Sequence, residues 1–131
     1  MVQLAYANEQ SYNDRMSALL DRVDYRLAVS QDDREAIFRL RYEAYRREKS
    51  IAENSSEMFF DEYDETGLVK LFGVYIDDRL VSAIRVHIAN SSTPFFPSLG
   101  PFRDILQPEL DAGKTVIDPT RFVIDKDASR E

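Results

Sequence analysis

The segment 116–125 constrains the fold of this chain more than any other, because a proline interrupts a strand-like run. The run has the β-branched and aromatic residues typical of a buried strand: Val116, Ile117, Phe122, Val123 and Ile124. Pro119 lacks the N–H that a regular β-ladder needs, so we predict a β-bulge or a splayed strand. Bulges often lie beside active sites, and Asp118, Thr120 and Arg121 surround this proline. The segment therefore predicts a strand with a site next to it.

Length and composition limit the class of protein. A chain of 131 residues is long enough for one hydrophobic core. The net charge of −7, from 24 acidic and 17 basic residues, argues against a nucleic-acid partner. The absence of cysteine excludes disulfides, thiolate metal sites and a cysteine acyl intermediate. The N-terminus does not resemble a signal peptide, and no apolar run approaches the ~18 residues that span a bilayer, so we expect a soluble cytoplasmic protein without a membrane span.

The first half of the chain predicts two helices and one strand. Apolar residues recur every three or four positions in 8–24, which predicts an amphipathic helix, and we expect 1–24 to form an N-terminal appendage. A strand is predicted at 25–29. Ser30 then has the character of an N-cap, with Asp33 at the third helical position, and the next helix is predicted at 31–48.

The second half predicts a hairpin and a long connection. We expect a loop with a short turn or helix at 50–67, closed by Gly67. The hairpin strands are predicted at 69–76 and 80–89, joined by a tight turn at Asp77-Asp78. The span 90–114 is rich in proline and glycine and predicts a crossover loop with a short helix near 102–111.

Two arginines occupy positions that call for an anion. Arg41 falls inside the apolar stripe of the helix at 31–48, so its guanidinium either reaches solvent along its own stem or meets a carboxylate from elsewhere. Arg85 and His87 share one face of the second hairpin strand. We interpret His87 as a wall residue rather than a base.

Four short segments, in order and spacing, resemble the N-acyl amino acid synthases and the acyl-homoserine-lactone (autoinducer) synthases, which share the fold of the GCN5-related acyltransferase superfamily. The segments are 41–45 (RYEAY), 60–64 (FDEYD), 82–86 (SAIRV) and 118–123 (DPTRFV). The resemblance implies an α+β fold, the N-terminal part of an acyl-CoA N-acyltransferase fold. Its mixed, mostly antiparallel sheet is flanked by helices, and residues 25–131 form the N-terminal half of that domain.

The resemblance also implies the site. The acidic and basic members of a charged network at the amine-substrate end of the cleft are Arg41, Asp61, Asp64 and Arg85, and the aromatic substrate-binding residues are Tyr45 and Phe122. Asp118 falls where autoinducer synthases usually carry a glutamate. Thr120 and Arg121 fall on their Ser-Arg pair, so Asp118, Thr120 and Arg121 are the catalytic candidates.

Acyl transfer to an amine requires a polarised thioester carbonyl and an ammonium that loses its proton. Backbone N–H groups freed at the bulge are candidates for the first task and Asp118 for the second, directly or through one water. Neither Ser82 nor His87 is needed as a nucleophile. A metal site at Asp61 and Asp64 is a weak alternative, since no histidine or third acid accompanies them, and we expect no metal and no bound cofactor.

Two departures from the resemblance set the remaining expectations. The chain has no tryptophan, and Tyr45 stands where autoinducer synthases favour phenylalanine, which favours amino-acid acylation over lactone synthesis. The chain stops at Glu131, soon after the bulged strand, whereas in the superfamily the following helix and strand hold the acyl donor. We therefore expect a chain that is incomplete for catalysis, with essentially no turnover alone.

Three hypotheses remain open. In the first, the protein moves a long-chain acyl group from acyl-carrier protein or acyl-CoA to the amino group of an amino acid. In the second, the cleft is a non-catalytic module that binds an amino acid or a partner protein. In the third, the likeness is accidental in an unrelated small α+β protein. In addition, an unpaired edge on the last strand predicts a homodimer through that strand, aggregation, or a disordered end after about residue 120.

Overall fold

A computed structural model describes residues 2–128, with side chains described from residue 11 onward. The described part contains one antiparallel sheet in the order β1-β2-β3-β4, whose strands are β1 (Val23–Leu27), β2 (Val69–Ile76), β3 (Arg79–Ala89) and β4 (Val116–Ile124). Its three α-helices are α1 (Val2–Arg22), α2 (Gln31–Arg47) and α3 (Arg103–Asp111). The predicted α+β class is confirmed, and none of the described helices is both long enough and apolar enough to cross a membrane. Residues 129–131, the end of the chain, lie outside the described residues.

The junction between α1 and β1 differs from the prediction. The strand was predicted at 25–29, but α1 ends at Arg22 and β1 begins at once with Val23, paired with Ile76. The strand has to end early because Ser30 is the N-cap of α2, where its hydroxyl accepts a hydrogen bond from the Asp33 N–H at 3.1 Å. Four of the five β1 residues are exposed, so its hydrophobic pattern carried little information about its limits.

Helix α1 lies on the outside of the molecule. All of its residues from 11 to 22 are exposed. Its C-terminal end is tied to the β2–β3 turn by an ion pair in which Arg22 Nη2 donates to Asp77 Oδ2 at 2.6 Å. The independence of 1–24 as an appendage remains a prediction.

The hairpin of β2 and β3 follows the prediction closely. Asp77 and Asp78 both have positive φ, 48° and 65°, as a type I′ turn requires. This turn matches the right-handed twist of the flanking strands, and aspartate tolerates the left-handed region better than most residues do. The predicted tight turn is therefore present.

The irregularity in β4 lies beyond the proline. Pro119 keeps its place opposite Val86, whereas the register shifts between the pairs Arg85↔Thr120 and Ala83↔Val123. The extra residue therefore falls at Arg121–Phe122, and the expectation of a bulge centred on Pro119 was wrong. Pro119 is tolerated because β4 is an edge strand of the described sheet.

One face of the sheet carries the main core. The buried residues of this core come from α2 and from three strands: Ile37, Phe38, Leu40, Ala44, Leu71, Ala83 and Val123. A second apolar cluster fixes the crossover loop and α3 and consists of Ala89, Phe96, Leu99 and Leu110. The site described next lies on the same face of the sheet, where Arg85 and His87 follow Ala83 along β3.

Candidate active site

Two buried side chains form the inner end of a charged network. Arg41 of α2 and Asp64 are both without solvent exposure, and Arg41 Nη1 donates to Asp64 Oδ2 at 2.8 Å. The arginine in the apolar stripe therefore meets a carboxylate rather than reaching solvent. Burial lowers the pKa of Arg41, although the hydrogen bond to Asp64 opposes this effect.

The loop that supplies the carboxylates is fixed by its own hydrogen bonds. Asp61 caps the short 3₁₀ helix Glu62–Glu65, and its Oδ1 accepts from the Tyr63 N–H at 3.0 Å. In return Asp64 Oδ2 accepts from the Asp61 N–H at 2.9 Å, which completes a capping box. The spacing Asp-x-x-Asp thus points both carboxylates towards the sheet through local geometry.

Arg85 of β3 joins the two aspartates. Its Nη1 lies 2.5 Å from Asp61 Oδ1 and 3.2 Å from Asp64 Oδ2. The outer oxygen of Asp61 accepts from Arg121 Nη2 at 3.0 Å. Burial alone would raise the pKa of Asp61, but the hydrogen bonds from Arg85 and Arg121 outweigh it and lower the pKa to about 2. Asp61 is therefore ionised at neutral pH.

The bulge in β4 directs Arg121 into this network. Arg121 has a φ of 53°, in the left-handed region, and its guanidinium carbon lies 4.9 Å from the Phe59 ring centroid and 5.8 Å from that of Tyr45. A non-glycine residue in this conformation is strained, and such strain is common at functional sites. The expected link between the bulge and the site is present, at Arg121.

The outer end of the network borders an open cavity of about 400 Å³. Its walls come from α2, the 61–65 turn, β3, the loop before α3, and β4: Tyr45, Asp61, Tyr63, Arg85, Pro97, Thr120, Arg121 and Phe122. Tyr63 and Pro97 were missed from the sequence. The position of Tyr63 between the two aspartates was a usable signal, whereas nothing local indicated Pro97.

The remaining candidates lie behind the cavity. Asp118 is largely buried, and its Oδ2 accepts from the Ser98 N–H at 3.0 Å, so this carboxylate helps to hold the loop before α3. It is not among the residues that line the cavity. Thr120 does line the cavity, and its Oγ1 accepts from Arg85 Nε at 2.9 Å.

The structure thus sorts the predicted site residues into two groups. Asp61, Arg85, Tyr45, Thr120, Arg121 and Phe122 line the cavity, whereas Arg41, Asp64 and Asp118 support it from behind. No group of three or more potential metal ligands among histidine, cysteine, aspartate and glutamate occurs within residues 2–128.

The charges of the network favour an anionic group in the cavity. Three arginines face two aspartates, which leaves one positive charge in excess. The aromatic side chains of Tyr45, Tyr63 and Phe122 add apolar wall. A small zwitterion with an apolar or aromatic side chain fits these properties, because its carboxylate meets arginine and its ammonium meets the acceptor oxygens of Asp61 or Thr120.

Comparisons with known proteins give a family match and a similar solved structure. A family model described as N-acyl amino acid synthase FeeM matches residues 36–131, which include every candidate site residue. A solved structure of FeeM, an N-acyl amino acid synthase from uncultured soil microbes, is similar in fold with a TM-score of 0.65 and 20% sequence identity. The match covers 82% of this chain and 56% of that chain, so the present chain spans little more than half of that protein. No protein in the curated set matches significantly.

Proposed function

We propose that this chain, which belongs to the FeeM family of N-acyl amino acid synthases, acts as an N-acyltransferase on the amino group of an amino acid. The acyl group comes from a thioester, either acyl-carrier protein or acyl-CoA, and is a long chain. Family membership supports acyl transfer to nitrogen; the amino-acid acceptor and the donor are the finer parts of the proposal.

One observation carries this function: charges of both signs and aromatic walls meet in a single open cavity on the face of the sheet. Arg121 and Asp61 form its charged rim, with side-chain exposures of 34% and 22%. Both groups are fixed by partners and yet accessible to a ligand. An acceptor amino acid carries a carboxylate and an ammonium, and each requires an opposite charge.

Each cavity residue then has a role in the proposal. Arg85 and Arg121 hold the acceptor carboxylate, and Tyr45 and Phe122 contact its side chain. In this proposal, backbone N–H groups at the bulge polarise the thioester carbonyl, as donors in an oxyanion hole do. Asp118 assists deprotonation of the amine from behind the cavity, where the Ser98 N–H fixes its carboxylate at 3.0 Å.

A combined binding and turnover experiment tests the proposal. Amino acids are titrated into the isotope-labelled protein, and the protein is then incubated with a long-chain acyl-CoA or acyl-carrier protein and the same amino acids, with products identified by mass spectrometry. We expect the 131-residue chain to bind amino acids and to shift the resonances of Tyr45, Arg121 and Phe122. An N-acyl amino acid is the product expected of the full-length protein. Binding without product from either donor would favour the non-catalytic module. A homoserine-lactone product, formed when the acceptor is S-adenosylmethionine with its leaving group on the γ-carbon, would favour the autoinducer synthases. The absence of both binding and product would overturn the proposal.

We also propose a homodimer through β4. This strand is at the edge of the described sheet, and the exposed apolar side chains along it include Ile117 at 64% and Ile124 at 39%. Exposed edges of this kind pair with other strands. Sedimentation analysis should show a dimer that Ile117→Lys weakens. A stable monomer over the micromolar range would exclude the dimer.

A further inference from the structure

His87 is the only histidine of the chain, and it has no role in the charged network described so far. It is 2% exposed, and its ring contacts the polar side chain of Thr120 and the aromatic side chain of Tyr63. Its Nε2 lies 3.1 Å from Thr120 Oγ1, and its ring makes an edge-to-face contact with the Tyr63 ring, with 5.2 Å between the centroids. A histidine with only a packing role would not need a hydrogen bond to Thr120, whose side chain lines the cavity.

The hydrogen-bond capacity of Thr120 fixes the direction of this contact. Its hydroxyl has one proton to donate and two lone pairs that accept. Arg85 Nε can only donate, so it occupies one lone pair at 2.9 Å. If His87 Nε2 accepts the threonine proton, the second lone pair stays available on the cavity side, where Thr120 is part of the wall.

The surroundings of His87 favour the neutral ring that such acceptance requires. Burial lowers the pKa of His87, and the charge of Arg85 lowers it further. Asp118, Asp61 and Asp64 oppose these effects without reversing them. The imidazole is therefore neutral at neutral pH, with one ring nitrogen able to accept a proton.

We propose that Thr120 and His87 form a proton relay for the acceptor amine, in which Thr120 contacts the substrate and His87 is the positioning residue that receives the proton. The substrate N–H binds the second lone pair of Thr120 Oγ1. In a concerted step Thr120 takes a proton from the ammonium and passes its own hydroxyl proton to His87 Nε2. The inference rests on the proposed function for its substrate.

The remaining bonds and protons balance with the thioester as the second reactant. The free amine forms the C–N bond at the thioester carbonyl, and collapse of the tetrahedral intermediate breaks the C–S bond. The second nitrogen proton leaves on the sulfur as a thiol. After the product leaves, the imidazolium returns its proton through the Thr120 hydroxyl to solvent in the cavity, because Thr120 lines the cavity and His87 does not. Asp118 lies directly opposite His87 in the β3–β4 register and is one of the three carboxylates that favour the charged ring.

A single histidine makes the first test unambiguous and independent of turnover. The ring nitrogen resonances of the ¹⁵N-labelled protein come from His87 alone, and we expect a neutral ring protonated at Nδ1 with Nε2 as acceptor. Thr120→Val, which replaces the hydroxyl by a methyl group, should shift the Nε2 resonance and change the tautomer or the pKa. Thr120→Ser should preserve both, and so should Ser82→Ala, whose hydroxyl bonds instead to the Val123 carbonyl. A proton on Nε2 in the wild type, or no response to Thr120→Val, would overturn the relay.

The second test measures the relay through the pH dependence of acylation. The acidic limb of kcat/KM for acylation should follow the His87 pKa measured by NMR. His87→Gln and Thr120→Val should remove that limb and lower kcat about 100-fold, in the range of general-base catalysis. Thr120→Ser should retain the limb. A limb that persists in His87→Gln would reject the relay. Absence of turnover by the full-length protein would count against the proposed function, while the tautomer would still decide the relay.

Discussion

The two ends of the charged network use the same chemistry in opposite environments. At the inner end, Arg41 and Asp64 are completely buried and lie 2.8 Å apart. At the outer end, Asp61 and Arg121 lie 3.0 Å apart and are partly exposed at the cavity. Arg85 contacts both aspartates and connects the two ends. The inner pair fixes the turn against α2, and the outer pair remains accessible to a ligand.

Burial decides how much each pair matters for folding. A buried charge that loses its partner is uncompensated, whereas an exposed pair is screened by water and contributes little. The inner pair also has atoms without a hydrogen-bond partner among the described residues: Arg41 Nε and Nη2, and Asp64 Oδ1. Desolvation of the two buried charges therefore costs free energy, and each charge depends on the other for compensation.

Removal of Arg41 tests the inner end and should have the largest effect. Arg41→Ala should lower the free energy of unfolding by about 3–5 kcal/mol, because Asp64 is left buried without this partner. Chemical denaturation measures the change. The matched control is Arg39→Ala on the same helix, whose exposed pair with Glu35 at 3.4 Å is worth about 0.3–0.5 kcal/mol. Equal losses in the two variants would show that the inner end is not special.

Acid should weaken the network in two separate stages. The folded pKa of His87 is lowered from 6.5, so its contribution to stability is complete above that pH and declines as the pH falls through the lower folded value. Asp61 has a folded pKa of about 2 against 3.8, so its contribution is present above pH 3.8 and declines towards pH 2. Denaturation curves at a series of pH values measure both stages. His87→Gln should abolish only the upper stage, and a single stage in the wild type would contradict the assignment.

Replacement of the whole inner pair should do less harm than removal of one member. Arg41→Met combined with Asp64→Leu takes both charges out of the core, and such replacements are often neutral or stabilising. The double variant also loses the acceptor for the Asp61 N–H, which costs about 1 kcal/mol. We expect the free energy of unfolding of the double variant to exceed that of Arg41→Ala by about 2 kcal/mol. A double variant less stable than Arg41→Ala would mean that the charges themselves hold the turn.

The sequence predicted the inner end better than the outer one, for a physical reason. An arginine in an apolar helical stripe requires an anion, and Asp-x-x-Asp caps its own turn, so Arg41 and Asp64 follow from local pattern together with the resemblance. The class of fold and the hairpin were equally accessible, because periodicity and turn chemistry specify them. The inner pair, the class of fold and the hairpin each depend on the pattern of a few residues that are close in sequence.

The outer end was harder because it depends on strand register. The sequence predicts a bulge at the proline, but the extra residue at Arg121–Phe122 is visible only in the pairing of β4 with β3. The wall residue Pro97 comes from a loop that tertiary contacts place, including the Ser98 N–H bond to Asp118. The sequence indicates a wall position for His87, but His87 does not line the cavity. Its contact with Thr120 depends on the register of β4 with β3.

Removal of Arg121 should separate stability from binding at the outer end, with the smallest effect on folding. Arg121→Ala should cost about 0.2–1 kcal/mol of unfolding free energy, as partly exposed pairs do. Alanine is the right replacement because glycine would relieve the strain at a φ of 53° and obscure the loss. Amino-acid affinity should nevertheless fall about tenfold or more, since a charge-assisted hydrogen bond to the carboxylate is worth ~1.5–3 kcal/mol. Arg79→Ala is the control, an exposed arginine 3.5 Å from Asp125 that does not line the cavity. Unchanged affinity in Arg121→Ala would show that the acceptor carboxylate binds elsewhere, and a stability loss as large as that of Arg41→Ala would remove the distinction between the two ends.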